Sequence, residues 1–172
     1  MVPERNFQSE FIKQCHYRMD ESLRMVKRSL EQLSEEMIWQ KPNAVTNSIG
    51  NLILHLCGNI TQYGIASLRG EADERDRDLE FSTTEGWEKK ALITKLESTV
   101  NEAKAIFEQL HPEAFLEEKG VQGFYFSGIG RMLHVVEHLS YHTGQIALWT
   151  KMLTEKDLGF YEDFDLNQKN ES

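Results

Sequence analysis

Two histidines near the end of the chain have the spacing of a helical metal site. His138 and His142 are four residues apart in the segment RMLHVVEHLSYHTGQIALW. In an α-helix this spacing places two side chains about 40° apart around the axis and one turn apart along it. Imidazoles so placed can bind one metal ion together. A solvated or hydrogen-bonded pair has the same spacing, so the pair alone leaves both interpretations open.

A third histidine, His55, lies in a separate apolar segment, NSIGNLILHLCGNITQYG. A single histidine between leucines is more often a hydrogen-bonded core residue than a ligand. The pair at His138 and His142 shifts this balance, because three neutral imidazoles from two helices form a facial set with positions open for water or substrate. Imidazole nitrogen binds Zn²⁺, Ni²⁺, Fe²⁺ or Cu²⁺, so the identity of the divalent ion stays open.

The other three histidines are weaker candidates. His134 lies toward the edge of the face that carries His138. It can be a hydrogen-bonding partner of a ligand, an alternative ligand or a packed side chain. His16 lies among polar neighbours and His111 stands beside a proline at a predicted helix end. We expect neither of these two to serve in a site.

The apolar pattern predicts four long helices that position these histidines. Apolar residues recur at steps of three and four, as on one face of a helix. The predicted helices cover about residues 7–33, 49–70, 83–110 and 128–153. Ser48 and Ser127 are expected to cap the second and fourth, and Ser82 with Glu85 to form a capping box for the third. With no convincing strand pairs, the prediction is an all-α four-helix bundle.

The segments between the helices give weaker patterns. Residues 71–80 alternate acidic residues with Arg75 and Arg77 and are predicted to form a solvated loop. Residues 113–126 fit either a loop or a short extended piece. The last helix has apolar residues opposite its histidines, which predicts burial of both faces. A polar row in a buried helix must be satisfied, and a metal would do so.

Composition bounds the class of protein. The chain has 172 residues, and 19 basic against 28 acidic residues give a net charge of −9. One domain over residues 1–159 and a polar tail over 160–172 are expected. No basic run fits a nucleic acid, and no apolar stretch approaches the roughly 20 residues of a membrane span. Without a signal-peptide pattern, we expect a cytoplasmic protein whose Cys15 and Cys57 are reduced.

The HVVEHLSYHTGQI segment, together with SIGNLILHL around His55, resembles the DinB/YfiT-like family. The resemblance covers the chain from the first helix through Leu153. It implies a four-helix bundle, commonly a homodimer, that binds one divalent metal ion per chain through His55, His138 and His142. His134 is not part of the triad that the resemblance implies.

The resemblance also bears on activity. Related proteins include transferases and isomerases that use a low-molecular-weight thiol, which implies a metal-dependent transferase acting on a small electrophile. The alternative is a non-catalytic metal- or ligand-binding protein whose site is regulatory or vestigial. The sequence identifies no catalytic residue. A basic group near the site would favour the enzyme, and the candidates are Arg75, Arg77 and Arg131.

Overall fold

The computed structural model describes residues 6–170 and contains the four predicted long helices. Its helices are α1 (Phe7–Glu31), α2 (Ile49–Ile60), α3 (Ser67–Arg69), α4 (Arg77–Ser82), α5 (Lys89–Gln109) and α6 (Gly128–Thr154). A π-helical segment, Thr61–Ala66, joins α2 to α3, so residues 49–69 form one continuous rod. Short 3-10 helices occupy Met37–Trp39 and Pro112–Phe115. The first five residues of the predicted domain and the last two of the predicted tail lie outside the described residues.

The long helices form a bundle, which confirms the predicted fold class. α1 packs against α5 and α6, and α2 packs against the same two helices. The core between them is made of aliphatic and aromatic side chains that are fully buried, including Met19, Leu30, Ile53, Leu96 and Phe107. Burying a side chain of this size stabilises the fold by roughly 1.5–3 kcal/mol. This apolar core holds α2 and α6 side by side.

Two of the three predicted helix caps are confirmed. Ser48 Oγ accepts a hydrogen bond from the Asn51 backbone at 3.1 Å, and the Asn51 side chain accepts one from the Ser48 backbone at 3.2 Å. Ser127 Oγ accepts from the backbone of Gly130 at 3.1 Å. The predicted capping box at Ser82 is wrong, because Ser82 is the last residue of α4 and α5 begins only at Lys89.

The predicted solvated loop at residues 71–80 is wrong in its second half. Asp76 accepts a hydrogen bond from the Leu79 backbone at 3.0 Å and caps α4, which packs against α2. Glu80 on this short helix is only 8% exposed. Its charge is paired inside the protein, so a charged sequence here does not indicate a solvated one.

Residues 113–126 contain a short β-hairpin, which decides between the two predicted alternatives. Strands β1 (Lys119–Val121) and β2 (Phe124–Phe126) are antiparallel, with Val121 opposite Phe124. The two turn residues, Gln122 and Gly123, have φ of 53° and 82°. Positive φ at both positions is typical of the tight turns that join two strands directly.

The expectation that α6 is buried on both faces is wrong. Leu133, Tyr141, Leu148 and Met152 are each at least half exposed. The histidine row and the core-facing residues point toward the other helices, whereas these four side chains are largely open to solvent. Within residues 6–170, no helix combines the length and apolar character that crossing a membrane requires.

Candidate metal centre

The three predicted ligands come together between α2 and α6. One ring nitrogen from each of His55, His138 and His142 can be chosen such that all three lie within 4.8 Å of one another. The Nε2 atoms of His55 and His138 are 2.8 Å apart. His55 is 6% exposed, His142 is 8% exposed and His138 is partly buried. The cluster therefore lies at the edge of the core, with a side toward solvent.

The outer nitrogen of His55 contacts an acidic residue that the sequence analysis missed. His55 Nδ1 lies 2.9 Å from Glu80 Oε2. Burial raises the pKa of the Glu80 carboxyl, but hydrogen bonds from Arg75 and His55 outweigh this effect and hold its pKa below the usual value. Glu80 is therefore ionised at neutral pH and can only accept, so we assign a proton to His55 Nδ1, a nitrogen that also lies 3.0 Å from Arg75 Nη2. This tautomer leaves the lone pair on Nε2, which faces the cluster.

Arg75, one of the three candidate basic residues, holds Glu80 in place. Its Nε and Nη2 atoms donate to the two carboxylate oxygens at 2.7 and 2.9 Å, and Nη1 donates to Gln62 Oε1 at 2.8 Å. Gln62 lies in the π-helical segment and also donates to Asp73. Single π-helical turns occur frequently at functional sites. Here the turn carries the residue that links Arg75 to the bundle.

His142 is oriented by its own helix. Its Nδ1 donates to Gln145 Oε1 at 2.7 Å, three residues further along α6. Gln145 lies on the same face of α6 as His142, since residues three apart are neighbours on a helix. The hydrogen bond leaves Nε2 of His142 as the nitrogen with a free lone pair. Two of the three imidazoles thus have their outer nitrogens engaged, an arrangement typical of metal-binding histidines.

Two of the three imidazoles are held in the neutral form that a metal requires. Burial, together with the nearby His142, His55, His134 and Arg75, lowers the pKa of His138 to about 3. Burial also lowers the pKa of His142, against a smaller raising effect of the Gln145 hydrogen bond. Both rings are therefore unprotonated at neutral pH, and their nitrogens are available as donors.

The donor set fits a divalent ion of the borderline type. Nitrogen ligands at about 2.0–2.1 Å in a tetrahedral site stand about 3.3 Å from one another. The observed separations bracket this value, from 2.8 Å for His55 and His138 to the 4.8 Å limit of the group. Small side-chain adjustments would suffice to bring all three nitrogens onto one ion. His55, His138 and His142 are the residues that would hold it.

Comparisons with known proteins agree with this fold. The family model described as "protein of unknown function (DUF1572)" matches residues 6–161. The chain belongs to this family. A conserved protein from Enterococcus faecalis has a similar structure, with a TM-score of 0.72 and 14% identity over 84% of this chain and 97% of that one. A DinB-like protein from Bacillus subtilis matches with a TM-score of 0.64 and 19% identity, over 84% and 94% of the two chains. No curated protein matches the sequence.

These likenesses confirm the predicted DinB-like fold. At this level of identity they show the fold alone.

His134, one turn before His138, has different surroundings from the three clustered histidines. Its ring stacks on Tyr63 with a centroid distance of 3.9 Å, and its Nε2 accepts from Asn59 Nδ2 at 3.0 Å. Its centroid is 5.2 Å from that of His138. Burial lowers its pKa as well. His134 thus packs beside the cluster with one nitrogen already hydrogen-bonded.

The remaining candidate histidines and arginines contact other groups. His16 is partly buried, with Nε2 3.1 Å from the Lys104 carbonyl oxygen, and His111 is exposed. Arg131 is 1% exposed and donates to the backbone carbonyls of Ser127, Ser67 and Glu117, which is a structural role. Arg77 lies over the Phe81 ring at 4.8 Å.

Neither cysteine can act as a nucleophile. Cys15 and Cys57 are free and buried. Burial raises the pKa of Cys15 to about 11 and that of Cys57 to about 12, so both thiols stay protonated at neutral pH. A thiolate at the histidine cluster would have to come from a separate molecule.

Proposed function

We propose that this DUF1572 chain is a metal-dependent transferase that binds one divalent ion through His55, His138 and His142 and uses a low-molecular-weight thiol. One observation carries the proposal: three imidazoles from two helices converge, and the outer nitrogens of two of them are fixed by hydrogen bonds. Three protein ligands leave at least one coordination position open, which is typical of catalytic rather than structural metal sites.

The ion would supply the activation of the thiol. A thiol coordinated by a divalent ion loses its proton at neutral pH and becomes a nucleophile toward a small electrophile. The resemblance to DinB-like transferases and isomerases favours this cosubstrate. The buried, protonated cysteines of the chain support an external thiol.

The residues around the cluster would position the ligands and exclude water. Glu80 and Gln145 fix the orientation of His55 and His142. Phe81 covers His55, with ring centroids 4.8 Å apart. Tyr141 lies against His142 at 5.0 Å and is 62% exposed, so this edge of the cluster is next to the protein surface. A small electrophile would approach from this side.

The assembly and location of the protein follow from the same resemblance. We propose a homodimer in the cytoplasm, where thiols are kept reduced. The exposed apolar residues of α6, among them Leu148 and Met152, support a paired surface on this helix, because burying them would remove apolar area from water. Light scattering at micromolar concentration would test it, and a particle of 20.0 kDa, the mass of one chain, would contradict it.

Elemental analysis tests the metal site first. Protein purified without chelator should contain about one divalent ion per chain, and chelation should remove it. Metal-loaded protein should then consume a thiol in the presence of an electrophile, assayed over a panel of cellular thiols and small electrophiles. Chelated protein is the control for uncatalysed reaction.

The outcomes separate the possible functions. Metal without thiol consumption across the panel would favour a regulatory or vestigial site. Absence of metal under metal-replete conditions would leave a bundle with a histidine cluster and would contradict the proposal.

A further inference from the structure

We propose that Glu80 and Arg75 are positioning residues of the metal centre and that together they reserve its open position for an anionic group. Glu80 orients His55, and Arg75 cancels the charge of Glu80, so that a bound divalent ion keeps its full double charge. This inference rests on the proposed function, since it concerns the same three histidines. It adds the chemical class of the ligand that the centre takes.

Glu80 orients the imidazole of His55. Glu80 Oε2 accepts the Nδ1 proton of His55 at 2.9 Å, and this bond directs His55 Nε2 toward His138. A carboxylate on the outer nitrogen also makes the imidazole a stronger donor to a metal. In metalloproteins the loss of such a partner costs about 10- to 100-fold in metal affinity.

The fold provides a space for this carboxylate beside α2. A Cβ atom on Gly58 of α2 would lie 1.8 Å from Glu80 Oε1 and 3.0 Å from Arg75 Nε. Only glycine at this position lets the carboxylate lie against the α2 backbone. The side chains of Arg75 and Glu80 are 3% and 9% exposed, so the pair is shielded from solvent. The shielding strengthens the attraction between the two charges.

The charges around the cluster determine which ligand the ion would favour. Among the ion pairs of residues 6–170, Glu80 provides the carboxylate that contacts the clustered histidines, and Arg75 neutralises it through two hydrogen bonds. Three neutral imidazoles and a neutral pair leave the charge of a divalent ion uncompensated. A low-dielectric centre with a net charge of +2 favours an anion, such as a thiolate or carboxylate, over a neutral ligand.

Substitution of Glu80 separates this role from simple packing, because it should move two affinities in opposite directions. The probes are Co²⁺, measured by competition with a chelator, and azide, measured through the visible spectrum of the Co²⁺-loaded protein. Glu80→Gln keeps the size of the side chain and leaves Arg75 unpaired. We expect Co²⁺ affinity to fall about 10- to 100-fold and azide affinity to rise about tenfold. A loss of packing alone would weaken both.

A double variant tests the two residues together. Glu80→Gln with Arg75→Met removes both charges, which avoids an unpaired buried charge and so favours folding. Azide affinity should return to within about threefold of the parent, since the net charge is restored. Co²⁺ affinity should stay lowered about 10- to 100-fold, since His55 still lacks its carboxylate. Circular dichroism of each metal-free variant reports whether it folds. If Glu80→Gln does not fold, the Co²⁺ affinity of the double variant tests the positioning role.

Glu102→Gln is the matched control. Glu102 forms an exposed ion pair with Arg69, so the variant changes net charge equally at a distance from the cluster. Neither affinity should change. Parent-like Co²⁺ affinity in the double variant would overturn the positioning role, and parent-like azide affinity in folded Glu80→Gln would overturn the charge role. Failure of the parent to bind Co²⁺ would instead overturn the proposed function and, with it, this inference.

Discussion

Two regions of the molecule build the candidate centre. They differ in how well their contributions could be predicted from the sequence. The helices α2 and α6 supply His55, His138 and His142 from regular apolar stripes. The segment between α3 and α5 supplies Arg75 and Glu80, which hold His55 from outside. The helices therefore provide the donors, and the connecting segment provides their orientation and charge.

Helical periodicity reveals contacts within one helix but not contacts between elements. Within one helix, the angle per residue fixes which side chains share a face, so the pairing of His138 and His142 could be derived. The charge of Glu80 is satisfied by a residue five positions earlier, and that pairing depends on how α4 packs on α2. A paired, buried charge and a solvated one have the same composition. The tertiary contact alone distinguishes them.

The largest expected effect comes from removing the donors. Replacing His55, His138 or His142 singly by Ala removes one metal–nitrogen bond and leaves two. Metal retention after desalting should collapse in all three variants, while the bundle stays folded. Elemental analysis of the three purified variants measures it. Full retention in His55→Ala would show that α2 does not take part, and the centre would have to be sought on α6 alone.

The fold was predictable in its long helices, and the failures are local. The helix that ends at Glu31 and the caps at Ser48 and Ser127 follow from periodicity and hydrogen-bonding side chains. The predicted start of α5 was wrong. Ser82 and Glu85 have the spacing of a capping box, but Ser82 is the last residue of α4. The prediction that both faces of α6 are buried was wrong, because apolar residues on a helix do not reveal how many neighbours cover them.

The convergence of the three histidines was predictable, but their contacts with other residues were not. The sequence and the resemblance together named the three histidines that the structure brings within 4.8 Å. The tautomer of His55 depends on Glu80, and the separation of His134 from the cluster depends on Tyr63 and Asn59. Those partners come from another element or another helix, and their distances are set by packing rather than by spacing along the chain.

A smaller effect is expected from disturbing the connecting segment without touching a donor or a charge. In Gly58→Ala, the new methyl group would overlap Glu80 Oε1 and displace the carboxylate. We expect metal affinity to fall about tenfold, at the lower end of the range for an outer partner. Competition with a chelator measures it.

Gly144→Ala is the control for that prediction. A Cβ atom at Gly144, on α6 between His142 and Gln145, meets no other atom within 4 Å. The variant should keep its metal affinity and gain up to about 1 kcal/mol in helix stability. Equal metal affinities in the two glycine variants would mean that the position of Glu80 does not matter to the ion.

The two regions should also differ in how pH affects the stability of chelated protein. The pKa of His138 is lowered from 6.5 to about 3, so between these values the unfolded chain binds a proton that the folded chain does not. Its contribution is present above pH 6.5 and is lost as the pH falls toward 3. The pKa of Glu80 is lowered from 4.5, so its contribution is lost only as the pH falls below about 4.5.

Thermal melting over this pH range measures both contributions. We expect His138→Gln to flatten the decline in melting temperature between pH 6.5 and 4.5, and Glu80→Gln to flatten it below pH 4.5. A parent whose melting temperature is constant between pH 6.5 and 4.5 would contradict the neutral, buried state of the cluster.

The smallest effect on the metal, and the finest test of the comparison, is expected at His134. It shares a helix face with His138, yet its Nε2 accepts from Asn59 and its ring stacks on Tyr63. Replacing it by Ala leaves the Asn59 amide, already buried with an unpartnered Oδ1, without its other hydrogen bond. Such a loss costs about 1–3 kcal/mol of stability. Melting temperature should therefore fall, while metal affinity changes less than tenfold, the reverse of His138→Ala.

The two positions differ by one helical turn. Comparing the two variants therefore tests whether a metal ligand is determined by its position on the helix or by the residues around it. Complete loss of metal in His134→Ala would favour the helix and would extend the ligand set along α6.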